Sequence, residues 1–318
     1  MKGENIMNIL IMGGTRFVSK SLAIFLIDKG HKVSIFTRNK IPVDYTGIVE
    51  HFIGDRKILA DLQKIKEIDF DIVFDISAYE LLDVKNLFSC LNKISLKRYI
   101  FCSSGSVYSP TIEMAKEFSE CGYNQNWGEY GLNKLKIEEF LMKEFEKYGL
   151  PISIVRPTYI YGKGNVLYRE AFFFERIMQQ KIIPIPDSDS KIQHIYIDDL
   201  LKIFEELMYL DKANGQVFNV THPEEISWES LVKTAASVVG TEAKIKKVNY
   251  VGKLKPREFF PFRDYTYLLS IDKLKEYNVS TPEIDLKKGL ELSYNWIIDE
   301  KWRISDEIMC KVEEVIKI

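Results

Sequence analysis

What this 318-residue chain lacks narrows it first. Its four cysteines (Cys90, Cys102, Cys121 and Cys310) form no close C-x-x-C pair, and its histidines are scattered. That argues against a metal site and for reduced thiols. No apolar run approaches the roughly 20 residues that span a bilayer. The N-terminal apolar stretch runs into a glycine turn with no small-residue cleavage site, which predicts no signal peptide and a cytoplasmic protein. Met7 is a second possible start. A net charge of −2 leaves no electrostatic footprint for nucleic acid or an anionic membrane. Repeats and low-complexity tracts are absent too. What remains is an aromatic-rich globular chain, long enough for a cofactor domain and a smaller substrate domain.

What is present begins at Asn8. An apolar strand to Met12 enters a Gly13-Gly14-Thr15 turn, and a helix opens at about Phe17. This is the first strand–turn–helix of a dinucleotide-binding fold, where bare N–H groups and a helix N-terminus hold a pyrophosphate. Gly13, Gly14, Thr15, Arg16, Phe17 and Val18 are therefore cofactor-binding candidates. Strands are expected at Lys32–Thr37, Glu50–Ile53, Phe70–Ile76, Arg98–Ser103 and Ile152–Arg156, with helices at Ser19–Lys29, Leu81–Ile94 and Leu132–Tyr148. The alternation predicts an α/β fold, a Rossmann-type doubly wound parallel sheet with a smaller C-terminal substrate domain. The expected division is 1–165, with a returning segment 190–222, for the dinucleotide domain. Segments 166–189 and 223–318 form the substrate domain.

Two clusters carry chemistry. Tyr130 and Lys134 lie four apart on one face of an amphipathic helix. An ammonium near a phenol is expected to lower its pKa, letting it exchange a proton with a carbinol or carbonyl oxygen as hydride moves. Taken alone, the pair is better explained by an ordinary exposed helix. Ser104, in the hydroxyl cluster that closes the Arg98–Ser103 strand, sits where ligands bind in such sheets and can hydrogen-bond the same substrate oxygen. Its bland alternative is a Ser/Gly turn that ends a strand.

Together these residues, with Arg156-Pro-Thr-Tyr-Ile-Tyr-Gly162, His194-Ile-Tyr-Ile-Asp-Asp-Leu200, Gly215-Gln-Val-Phe-Asn-Val220 and Ile226-Ser-Trp-Glu, resemble the extended short-chain dehydrogenase/reductase superfamily over nearly the whole chain. The type is the NAD-dependent epimerase/dehydratase family acting on nucleotide sugars. The resemblance implies Tyr130 as acid/base, Lys134 as its tuner and a ribose ligand, and Ser104 as donor to the substrate oxygen. It implies that Pro157, Thr158 and Tyr159 flank the nicotinamide, that Asp55 meets the adenine with Arg56 beside it, and that Ser77, Ala78 and Tyr79 line the cofactor. Ser106 and Arg263 are substrate-binding candidates. A homodimer packed through the helices near 81–94 and 132–148 is also implied.

Departures refine this. Arg16 and Ser19 stand where the family's second and third turn glycines do, which resembles an atypical branch that includes chloroplast stem–loop RNA-binding proteins. Gly105-Ser106 replaces the Asp-Glu of 4,6-dehydratases, which disfavours water elimination. A helix asparagine of the family has no match in place; Asn86 falls about one turn late. No acid ends the Lys32–Thr37 strand, and Arg38 follows it, favouring NADP(H) over NAD(H). Lys244, Lys246, Lys247, Lys253, Lys255 and Arg257 form a cationic stretch that either grips a diphosphate or is a solvated loop. Trp127 either closes over a sugar or packs. The expected protein is an NAD(P)-dependent epimerase or reductase/dehydrogenase of a nucleotide sugar or related carbinol. Its alternative is a catalytically silent NAD(P)-binding protein of the RNA-binding or redox-sensing type. With charge near neutral, a small-molecule partner is favoured over nucleic acid or membrane.

Overall fold

The computed structural model describes residues 6–250, 254–301 and 305–317. In chain order these form β1 (Asn8–Met12), α1 (Phe17–Asp28), β2 (Lys32–Thr37), β3 (Ile48–Ile53), α2 (Leu59–Leu62), β4 (Ile72–Asp75), α3 (Leu81–Cys90), β5 (Arg98–Cys102), α4 (Glu129–Tyr148) and β6 (Ile152–Pro157). Next come β7 (Tyr159–Tyr161), α5 (Glu170–Met178), β8 (Ile182–Pro186), β9 (Lys191–Ile192), β10 (His194–Tyr196), α6 (Ile197–Tyr209) and β11 (Gln216–Val220). The tail adds β12 (Ile226–Ser227), α7 (Trp228–Val239), β13 (Lys244–Val248), α8 (Asp272–Glu276), α9 (Leu286–Asp299) and α10 (Val312–Lys317).

Seven parallel strands, in the order β3-β2-β1-β4-β5-β6-β11, make the central sheet of a Rossmann-type α/β fold. The strands are apolar at successive positions because helices cover both faces. Ile9 and Ile11 of β1 face the side packed by α1 and α6, whereas Leu10 and Met12 face α3 and α4. The first of these cores runs without a break into the second unit, through Phe172–Phe174 of α5, Trp228 of α7 and Leu290 of α9. β8 and β13 pair in parallel at that unit's edge.

Several elements differ from the sequence expectation for visible reasons. Helix α3 stops at Cys90, not Ile94, because the Asn92 side chain accepts the Ile94 N–H in an Asx turn that competes with the helix. Helix α4 begins earlier, at Glu129 behind Gly128 (φ 56°), so Tyr130 lies in its first turn. The basic stretch starting at Lys244 is a strand, β13, and the segment ending at Val220 is the seventh strand of the main sheet. Lys253 lies outside the described residues.

Candidate active site

The carboxyl ends of β1, β4, β5 and β6 open onto one cleft of about 460 Å³, a size suited to small molecules. At β1, the glycine turn leaves no room for side chains. A Cβ on Gly13 would sit 2.9 Å from the Ser19 Cβ, and one on Gly14 would sit 2.7 Å from Ile35 Cγ2. Both glycines have left-handed φ (119° and 127°), and Phe17 is held at φ 30°, strained for a residue with a side chain. Ser19 replaces the third glycine without pushing the helix away, its hydroxyl donating to the Arg16 carbonyl at 2.9 Å. The bare cradle at a 12-residue helix N-terminus fits a pyrophosphate. Phe17 and Val18 continue from it into the cleft.

Beyond β2, Arg38 is exposed, as is Arg16, and no carboxylate pairs with either among the described residues. Asp55 accepts the Lys57 N–H at 2.9 Å, a local turn bond of the kind that capping predicts. Arg56 requires a correction. Its guanidinium is buried and grips both oxygens of Asp75 at 2.7 and 2.6 Å, with further bonds to Ser77 Oγ and the Asp83 carbonyl. Burial alone would raise the Asp75 carboxyl, but the paired Arg56 holds it below the usual range. Arg56 thus builds the floor and has no free charge for a phosphate. Asn86 donates to the Arg56 and Lys57 carbonyls, pinning that loop. Ala78 is buried, while Tyr79 is exposed with its ring 6.2 Å from that of Tyr130.

Ser104, Tyr130 and Lys134 all line the cleft, with Pro157, Thr158 and Tyr159 beside them. Helix α4 is fixed over β5 and β6 by a buried network in which Arg156 Nη2 meets Glu138 at 2.5 Å and Ser103 donates to the same carboxylate. Glu138 lies one turn after Lys134, so this anchor also sets the lysine. Lys134 is 3% exposed, donates to the Cys102 carbonyl at 2.8 Å, and lies 4.7 Å from the Phe101 ring centroid. Burial lowers its pKa. The phenol of Tyr130 departs from the expectation. Although 36% of the residue is exposed, its hydroxyl end is enclosed, and burial raises its pKa, with Tyr79 and Cys102 adding to the rise. The groups that draw it back are the nearby Ser104 hydroxyl and Arg169. Lys134 gives one of its three N–H donors to the Cys102 carbonyl.

Ser106 is a second correction. The short 3-10 turn after Ser104 turns it inward, where it is fully buried and its N–H donates to Ser104 Oγ at 3.1 Å. It does not line the cleft. Arg263 does, with its guanidinium 4.3 Å from the Trp127 ring centroid. Trp127 donates to the Tyr265 hydroxyl, so packing and cleft-lining coincide in it. Among the described residues of the cationic stretch, Arg257 lines this wall, bound to Asp306, while Lys246 bonds the Ile316 carbonyl and Lys247 pairs with Glu229. Arg169 was missed. It stacks 4.9 Å from the Tyr159 ring and 5.4 Å from Phe262, and burial lowers its pKa. A cation just ahead of the apolar run Ala171–Phe174 was its only signal in the sequence.

Residues 9–221 match the model of the NAD dependent epimerase/dehydratase family. The chain is 32% identical to the chloroplast stem-loop binding protein of 41 kDa b from Arabidopsis thaliana, covering 90% of this chain and 78% of that one. It is 25% identical to a putative UDP-glucose 4-epimerase of Methanocaldococcus jannaschii, covering 91% and 98%. Among solved structures, the UDP-glucose 4-epimerase of Thermotoga maritima with UDP-glucose has a TM-score of 0.78 at 20% identity, covering 93% and 100%. The UDP-glucuronic acid 4-epimerase of Bacillus cereus with UDP-glucuronic acid and NAD has a TM-score of 0.75 at 19% identity, covering 92% and 100%. At these identities the structures share the fold.

Proposed function

Because the chain belongs to the NAD dependent epimerase/dehydratase family, we propose that it moves hydride at a carbinol carbon of a nucleotide sugar, as an epimerase or as a reductase/dehydrogenase. The observation that carries this reading is the meeting of Ser104, Tyr130 and Lys134 in one cleft beside Pro157–Tyr159. The bound dinucleotide supplies the hydride acceptor. The Gly13–Val18 turn would hold its pyrophosphate, and Lys134 would hold the nicotinamide ribose. Tyr130 takes the proton of the reacting hydroxyl, and Ser104 hydrogen-bonds the same oxygen as it becomes a carbonyl. Arg263, with Arg257 and Arg169 on the same wall, binds the substrate diphosphate. Gly105 and the buried Ser106 offer no acid or base for eliminating water.

NADP(H) is the proposed cofactor, because Arg38 and Arg16 are exposed and no acid ends β2. A homodimer through α3 and α4 is the proposed assembly. Likeness to the chloroplast stem-loop binding protein supports the rival, a silent RNA-binding protein. The intact Ser104, Tyr130 and Lys134 set favours the enzyme. The test is to identify the dinucleotide the purified protein retains, then screen nucleotide sugars for isomerisation and for change in nicotinamide absorbance. Turnover that disappears in Tyr130→Phe supports the reading. Tight dinucleotide binding with no turnover of any nucleotide sugar, or equal turnover in Tyr130→Phe, defeats it.

A further inference from the structure

We propose that Tyr45 is a positioning residue for the glycine turn: its hydroxyl holds the Gly14 carbonyl, fixing the Gly14–Thr15 peptide with its N–H free for a pyrophosphate oxygen. The inference rests on reading Gly13–Val18 as the pyrophosphate cradle and does not depend on hydride transfer. The Tyr45 phenol donates to the Gly14 carbonyl oxygen at 2.7 Å. A trans peptide is planar, so its C=O and N–H point in opposite directions. With the carbonyl turned to Tyr45, which stands outside the cleft lining, the Thr15 N–H is directed away from it. Among the described residues, neither that N–H nor those of Arg16, Phe17 and Val18 has an acceptor.

The same glycine that makes room for a phosphate makes such a hold necessary. At Gly14 no side chain restricts the backbone, so the peptide that follows can turn over at little steric cost. Turned over, it would offer its carbonyl to the phosphate, the wrong end of the dipole. The hydrogen bond from Tyr45 favours one of the two orientations before any ligand arrives, which lowers the cost of binding.

Tyr45 is itself held by the segment between β2 and β3, which runs along α1. Asp44 pairs with Lys20 in the first turn of that helix at 2.6 Å. At Gly47 (φ 92°) a Cβ would lie 2.5 Å from Ile27 Cγ2, so the chain passes tight against the last turn. The Tyr45 ring is half-buried against the apolar core on this side of the sheet. Burial, with Asp44 adding to it, pushes the phenol pKa up, so the hydroxyl remains a donor. The segment thus touches α1 through an ion pair and the glycine turn through the phenol, and substitution can separate the two contacts.

The experiment titrates NADP⁺ and NAD⁺ into the full chain by calorimetry and reads the Gly14 carbonyl by NMR in ligand-free protein. Labelling glycine carbonyl carbon and threonine nitrogen selects Gly14–Thr15 and Gly240–Thr241, which Thr241→Ser tells apart. Tyr45→Phe keeps the ring and should weaken the tighter-binding dinucleotide about fivefold to tenfold, the worth of one well-made hydrogen bond. It should also move the Gly14 carbonyl resonance to lower frequency, as loss of a donor to that oxygen requires. Asp44→Asn, which weakens only the pair with Lys20, should leave the resonance in place and the affinity within about twofold. Unchanged affinity in Tyr45→Phe overturns the proposal, as does an equal loss in Asp44→Asn or a loss without movement of the Gly14 carbonyl. Wild-type protein that binds neither dinucleotide overturns it together with the cofactor reading. The expected loss in a protein that turns over no nucleotide sugar supports the proposal and counts against hydride transfer instead.

Discussion

On the strand side of the cleft, Ser104 and Pro157 sit at or just past the ends of β5 and β6, placed by backbone bonds of a parallel sheet, and Phe17 opens the helix that follows β1. On the opposite side, Arg169, Arg257, Arg263 and Trp127 are placed by ring stacking and by one ion pair to Asp306. The first side depends on bare backbone and short side chains, so it tolerates little change of shape. The second depends on long side chains over aromatic faces, where charge and reach can change without disturbing the fold. The proposed cofactor half is therefore a property of the architecture, and the proposed substrate half a property of this particular sequence.

The sharpest break comes at the chemistry. Tyr130→Phe should lower kcat by about 10²–10⁴-fold, the usual worth of a positioned acid/base. Dinucleotide affinity, measured by titration, should stay within a few-fold, because the cradle is elsewhere. Gly14→Ala probes the rigid side. Its φ of 127° and the 2.7 Å approach to Ile35 should cost about 4 kcal/mol in denaturant unfolding. A loss below about 1 kcal/mol would mean the turn is not the rigid element described.

A pH test reaches beneath the other wall. Burial raises Glu170, next to Arg169, from 4.5 to about 7. The folded state then holds that proton more tightly than the unfolded chain, so stability falls as pH rises from about 4.5 to about 7 and levels off above. The loss is about 3 kcal/mol for this group. Glu170→Gln should remove the slope in Tm against pH. An unchanged slope would assign the dependence to other groups. Arg263→Gln should raise the KM for a nucleotide sugar about 30-fold, near 2 kcal/mol, with kcat little changed. An equal fall in kcat would place Arg263 at the reacting carbon instead. Smallest is Arg38→Asp, expected to shift the NADP/NAD preference roughly tenfold toward NAD, about 1.4 kcal/mol. An unchanged ratio removes Arg38 from cofactor choice.

Legibility in the sequence followed the same divide. Tyr130 and Lys134 were readable because helix spacing puts them on one face, and Ser104 because it ends an apolar strand. The turn from Gly13 was readable because backbone requirements are local. Arg169 was not, because its place depends on Phe262, far along the chain. Ser106 was misassigned because the inward rotation of a 3-10 turn leaves no mark in a run of small residues. The pairing of Lys134 with Tyr130 was overread for a different reason. Spacing shows that two groups are near, but not that burial dominates both or that one of the ammonium's donors goes to the Cys102 carbonyl.

The unbroken apolar core that runs from the sheet face through α5, α7 and α9 bears on how the cleft is filled. A hinge that swung the second unit aside would have to divide that shared core, wetting apolar surface at about 25 cal/mol per Å². Admission of a ligand is then expected to run through rotamer changes at the rim, on nanosecond scales, rather than through millisecond domain closure. The same continuity predicts a single calorimetric transition for the whole chain, with no second-unit fragment surviving limited proteolysis as a folded piece.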